Sequence, residues 1–108
     1  MATLMEISTW NFENKALLLE ALLHSLNERH AMAENSYRAS ILSSHEHRFY
    51  HEQALACELF GMYLVENAQV AKGIEQLQIA WEKYTQWGAT KKAGMVKDLI
   101  GVIQDVSL

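Results

Sequence analysis

Three ten-residue stretches constrain the fold of this chain most strongly: KALLLEALLH from Lys15, LACELFGMYL from Leu55 and MVKDLIGVIQ from Met95, which begin at one constant offset from each other. Laid over one another, they align the small residues Ala21, Gly61 and Gly101, the leucines Leu19, Leu59 and Leu99 two positions earlier, and Ala16, Ala56 and Val96 five positions earlier. The segments between them share the offset more loosely, as at Ala31 and Ala71. Self-similarity at such a period marks a repeat architecture, in which each unit buries its apolar face on its neighbours. Glycine inside a helix costs about 1 kcal/mol relative to alanine, so Gly61 and Gly101 are expected to let a neighbouring helix approach closely.

Apolar residues within the repeats recur at helical spacing. From Ala54 to Gly88 they fall at Ala56, Leu59, Phe60, Tyr63 and Leu64, then at Val70, Ile74, Leu77, Trp81, Tyr84 and Trp87, with Glu66-Asn67-Ala68 as the polar break. The same pattern predicts a first helix over Glu13 to Leu26, a second from about His30 to Ser43, a third over His51 to Leu64, a fourth from about Ala68 to Gln86 and a fifth to about Val106. Gly88 is placed to close the fourth helix in a left-handed conformation, and Thr90 to cap the fifth. Ser8, Thr9 and Asn11 are candidate caps of the first helix. Trp10 and Phe12 beside them either staple that helix to its own first turn or rest on a neighbouring chain.

Breaks this short make consecutive helices antiparallel neighbours. The expected fold is all-α, about five antiparallel helices forming a short α-solenoid of about two and a half repeats, each of about 40 residues. It is one domain, with 1–12 an N-terminal segment, 13–50 a degenerate first repeat, 51–89 a complete second repeat and 90–108 a capping helix. The absence of proline agrees, because turns between strands normally recruit proline and clustered glycine.

A net charge of −4 opposes phosphate neutralisation, and Lys91-Lys92 is the densest cationic pair, so no nucleic-acid partner is expected. The single cysteine, Cys57, can form no internal disulfide and points to a reducing compartment. No apolar run approaches the roughly 20 residues that cross a bilayer, and MATLMEISTW lacks the cationic start and apolar stretch of a signal peptide. A cytoplasmic, soluble protein without membrane insertion is expected.

The small residue near the middle of each odd-numbered helix, the large residues Tyr37 and Leu77 in the even-numbered ones, and Ser40 and Ala80 three further on resemble the tetratricopeptide pattern. There is no early tryptophan and no closing proline, and the period exceeds the usual repeat of about 34 residues, as in the longer tetratricopeptide variant. A closer resemblance covers Ala54 to Leu99, carried by Ala56, Glu58, Tyr63, Leu64, Ala71, Tyr84, Trp87, Gly88, Ala89, Lys92 and Leu99, with the Trp87-Gly88-Ala89 turn its most specific piece. This region is similar to a helical segment of large signalling fusions of a switch ATPase, a serine-threonine kinase and a histidine kinase. The resemblance implies a helical scaffold for protein contacts, without catalysis of its own.

His45-Glu46-His47-Arg48-Phe49-Tyr50-His51-Glu52 is the most chemically suggestive stretch. His47 and His51, four apart, would share a helix face and could hold zinc or sense pH. The glutamate that follows the first histidine of zinc proteases is replaced by Arg48, no cysteine lies nearby, and polar residues normally collect at a helix start, so a solvated helix junction is the expected reading of the cluster. His24 and His30 pair with nothing by spacing. Cys57, beside Ala56 on a packed helix, is expected to be an inert thiol. The row Trp81, Tyr84 and Trp87 could form a ligand platform or pack in the core against Val96, Leu99 and Ile100, and core packing is the expected role.

No residue set makes an active site, so neither catalysis nor a cofactor or metal is expected. In paired-helix solenoids the first helix of each pair lines the binding groove. By the repeat register the partner-binding candidates are Leu18 and Leu22, Glu58 and Met62, and Asp98 and Val102, an apolar groove with an acidic rim suited to an amphipathic or basic peptide. The expected function is a non-enzymatic scaffold in a signalling or regulatory assembly, self-associating as a homodimer or belonging to a larger parent chain. The alternatives are a structural subunit buried permanently in a complex and a metal-dependent sensor or enzyme using His47 and His51.

Overall fold

The structure, a computed structural model, describes residues 15–106. Within them lie five helices and no strand: α1, which occupies 15–26, α2 (His30–Glu46), α3 (Tyr50–Glu66), α4 (Val70–Gln86) and α5 (Thr90–Val106). The caps proposed at Ser8, Thr9 and Asn11 and the aromatic pair Trp10 and Phe12 lie outside the described residues. The helices from α2 to α5 are of equal length, and so are the connections between them, so the structural unit of one helix and one turn is half the sequence repeat. α2 and α3 run further toward the C-terminus than their apolar patterns predict, to Glu46 and Glu66, and α4 starts at Val70, two positions later than expected.

One turn is built four times. Glu28, Arg48, Ala68 and Gly88 all take positive φ, at 58°, 59°, 66° and 75°. In each case the amide of the next residue donates to a carbonyl five positions back: Arg29 to His24, Phe49 to Ser44, Gln69 to Leu64 and Ala89 to Tyr84, all within 2.8–2.9 Å. The bond satisfies a carbonyl that the helix end leaves unpaired and reverses the chain within a short turn. Gly88 has the conformation its position predicts; the other three turns force an ordinary residue into it. Thr90 is the first residue of α5 rather than its cap, and at the capping positions Arg29, Phe49 and Gln69 no side chain bonds the helix start. The chain therefore fixes its corners from the helix C-termini.

Packing follows the even-numbered helices in register. α2 buries Ala33, Tyr37, Ser40 and Ser44; at the equivalent positions one repeat on, α4 buries Gly73, Leu77, Ala80 and Tyr84. α3 is the shared element. Its Ala54 and Cys57 pack with Leu77, Ala80, Tyr84, Ala93 and Val96, while its Phe60, Tyr63 and Leu64 pack with Ala21, Ala33 and Tyr37. Ile41 touches both clusters, so one core runs through the stack. The Tyr37 ring lies 5.3 Å from Phe60 and 5.4 Å from Tyr63, an aromatic cluster between α2 and α3.

α3 and α4 cross at two glycines. A Cβ on Gly61 would stand 2.9 Å from the Gly73 carbonyl oxygen and 2.8 Å from Leu77 Cγ; one on Gly73 would stand 2.7 Å from the Gly61 carbonyl oxygen and 2.5 Å from Val65 Cγ2. The close approach expected at Gly61 is real. At Gly101 it is not: a Cβ there would meet nothing within 4 Å, because among the described residues no helix crosses α5 on that side. Ala21, the first-repeat counterpart, is fully buried.

Two substitutions of opposite sign check this account in denaturant melts. Gly61→Ala, which drives a methyl into backbone, is expected to destabilise by about 1–3 kcal/mol despite its better helix propensity. Ala68→Gly, which relieves a left-handed alanine that meets no packing requirement, is expected to stabilise by about 0.5–1 kcal/mol.

Candidate interaction surface

The odd-numbered helices share one side of the stack. Leu22 on α1 and Met62 on α3 line a single hollow of about 380 Å³ together with Leu26, Leu59 and Tyr63. Leu18 is half-buried against the core and lines an adjoining hollow with Lys15, His51, Glu52 and Leu55. Asp98 and Val102 are exposed on α5 at the same register. The surface is thus strongly apolar: Leu26, Met95, Val102 and Val106 are each more than half exposed, and Leu22, Leu55 and Met62 more than a third.

Glu58 does not belong to that open surface. Tyr84 Oη donates to Glu58 Oε1 at 2.9 Å, and Lys92 Nζ lies 3.1 Å from both carboxylate oxygens, with only 12% of the Glu58 side chain exposed. Glu58 therefore ties α3 to α4 and α5, and the acidic rim loses its central member. Burial first, then the Glu58 charge and hydrogen bond, raises the Tyr84 hydroxyl well above the ordinary tyrosine range, keeping it a neutral donor. Both partners lie one or two helices beyond Glu58 in sequence, and no local pattern announces them.

The histidine cluster dissolves into separate elements. His47 lies beyond the end of α2, and His51 lies in the first turn of α3, so the two do not share a helix face. His47 Nδ1 bonds the Ser43 carbonyl oxygen at 3.2 Å; one unit before and one after, Asn27 and Asn67 donate through their side-chain amides to Leu23 and Tyr63 at 2.9 and 2.8 Å. His47 thus fills a C-terminal capping position that the repeat uses three times. His45 is exposed, and the His51 ring lies 6.5 Å from Trp87. Among the described residues no group of three His, Cys, Asp or Glu side chains could hold a metal ion. His30 Nδ1 lies 2.8 Å from Tyr63 Oη, a link between α2 and α3 that its spacing did not announce.

Cys57 is buried in the α3–α4–α5 core. Burial pushes its thiol up to about 11 against the opposing pull of Lys83, so little thiolate exists near neutrality. The aromatic row divides. Tyr84 is buried and Trp81 packs against the same core, whereas Trp87 lies past the end of α4, is half exposed and stacks on Tyr50 of α3 at 4.7 Å. Its role is to hold the α4–α5 corner against α3, not to pack on α5. Sequence reasoning also passed over Gly73; its register with the small residue Ala33, one repeat earlier, was the signal that could have found it.

No helix of the described residues is long and apolar enough to cross a membrane. Compared with known proteins, the chain matches no family model, and it shows no significant similarity to a curated protein or to a solved structure.

The Glu58 junction gives a direct test. Tyr84→Phe and Glu58→Ala are each expected to lower stability by about 1–2 kcal/mol, and the double variant to cost less than their sum, because both remove the same part-buried hydrogen bond. Chemical denaturation of the four chains of this cycle measures the coupling.

Proposed function

We propose that the chain is a non-enzymatic helical-repeat scaffold that binds a protein or peptide along the shared face of its odd-numbered helices, as part of a signalling or regulatory assembly inside the cell. One observation carries this reading: Leu22, Met62 and Val102, at equivalent positions of α1, α3 and α5, stay exposed among further apolar side chains while the polar Glu58 is turned into a structural junction. An exposed apolar surface of this extent normally marks an interaction site. Its chemistry suits an amphipathic helix laid across the three helices, with an apolar position in the hollow lined by Leu22 and Met62. The likeness to tetratricopeptide repeats and to the helical segment of signalling ATPase–kinase fusions supports the same role, since in both the helices serve as a contact surface.

A structural subunit held permanently in a complex is the second reading, favoured by Leu19 and Leu23, which are 58% and 51% exposed on α1. A leucine row exposed on α1 suits a covered face, whether against a second copy of the chain or a larger assembly.

The triple variant Leu22→Glu, Met62→Glu, Val102→Glu changes only the shared face and is expected to melt within a few degrees of the wild type. In affinity capture followed by crosslinking, the wild-type chain should retain a discrete protein partner crosslinked near α1, α3 and α5, and the triple variant should lose it. A partner set indifferent to the substitutions would overturn the proposed face. An isolated chain that aggregates until a partner is co-expressed would favour the buried-subunit reading.

A further inference from the structure

Between α2 and α4, with α3 as its floor, runs a groove of about 360 Å³. Arg38, Ile41 and His45 line it from α2, Ile79 from α4, and Gln53 and Phe60 from α3. It shares no lining residue with the hollow of Leu22 and Met62. Gln53 is the anomaly. Its side chain is 6% exposed, and its Oε1 is buried without a hydrogen-bond partner. A buried acceptor left unpaired costs about 1–3 kcal/mol, and folded chains rarely keep one. At the Phe60 end of the groove, the Arg38 guanidinium lies 5.2 Å from the centre of the Phe60 ring. Its pair with Glu34, at 3.0 Å, engages only Nη2, so most of its N–H donors are left for another partner. The described residues that line the groove include no carboxylate, although the chain as a whole carries a net charge of −4.

We infer that this groove binds a small organic acid with an apolar body, its carboxylate on Arg38 and a hydroxyl at its far end donating to Gln53 Oε1. The site is separate from the scaffold face and does not rest on that reading. Its dimensions set the size of the ligand. Gln53 and Phe60 stand seven residues apart on α3, about 10 Å along the helix axis, and Arg38 lies over the Phe60 end. A volume of this order takes one ring and a short chain. Ile41 and Ile79, on opposite walls, supply the apolar contact for that body. The guanidinium offers a carboxylate paired, charge-assisted N–H donors. Solvent does not touch Gln53 Oε1 in the free chain. The terminal torsion of a glutamine is soft, however, so the amide turns readily toward a donor that an apolar body holds in the groove.

The probe is 3-(4-hydroxyphenyl)propionate, which carries a hydroxyl and a carboxylate at opposite ends of a ring and a short chain, titrated into the full chain and followed by backbone amide NMR. Saturable shifts are expected at the groove residues of α2, α3 and α4, with a dissociation constant of about 1 mM or tighter. Two analogues separate the ends of the ligand. 3-Phenylpropionate, which lacks the hydroxyl, is expected to bind about fivefold more weakly, and 3-(4-hydroxyphenyl)propionamide, which lacks the charge, about tenfold more weakly. Gln53→Leu is expected to abolish the first difference and keep the second; Arg38→Gln is expected to do the reverse. Absence of saturable shifts, or shifts confined to another part of the chain, would overturn the proposal. So would equal binding of the probe and 3-phenylpropionate by the wild type, a comparison that needs no variant to fold. A hydroxyl preference that survives Gln53→Leu would place the hydroxyl on another group and overturn the assignment.

Discussion

The crossing of α3 and α4 at Gly61 and Gly73 is the contact on which the rest of the stack depends. Each glycine is pressed on the other's carbonyl oxygen, so the two backbones approach more closely than any pair of side chains would allow. Around that point Leu77, Ala80 and Tyr84 come within reach of Ala54 and Cys57, and α5 adds Ala93 and Val96 to the same cluster. Two glycines in helix interiors cost about 2 kcal/mol of propensity relative to alanine. The dispersion contacts and apolar burial that close approach makes possible more than offset it.

A second constraint keeps the crossing in register. Four turns of the same geometry, each closed by a residue with positive φ, hold successive helices at one fixed spacing. Three of those residues are not glycine, so the local conformation is unfavourable there and is maintained by what the turn joins. The side chains of Asn27, His47 and Asn67 bonded to the last turn of their helices, and Trp87 stacked on Tyr50, hold the same corners from outside. In this way the most chemically suggestive part of the sequence, around His47, serves the architecture.

Helix positions and the repeat were legible because both rest on periodicities in the chain itself: apolar residues every three to four positions, and a small residue at the same place in each repeat. Tyr37 with Leu77 and Ser40 with Ala80 emerged as buried pairs in register, as the pattern predicts. Leu22, Met62 and Val102 are exposed at one register of α1, α3 and α5. The single-helix unit, half the sequence repeat, was harder to see, since odd- and even-numbered helices bury different residue types. Glu28, Arg48 and Ala68 carry no local signal for a left-handed turn, and only Gly88 does.

By itself, then, the sequence determined an all-α chain of five helices and their approximate ends, because these follow from local spacing and backbone propensity. Tertiary structure decided which equivalent positions do equivalent work. Gly61 is a crossing and Gly101 an open position because a helix lies over the first and, among the described residues, none lies over the second. Glu58 is a part-buried junction and Asp98 a surface charge because Tyr84 and Lys92 reach only the former. Residues identical in register differ in environment wherever the stack has a neighbour on one side and not on the other, and no one-dimensional pattern encodes that difference.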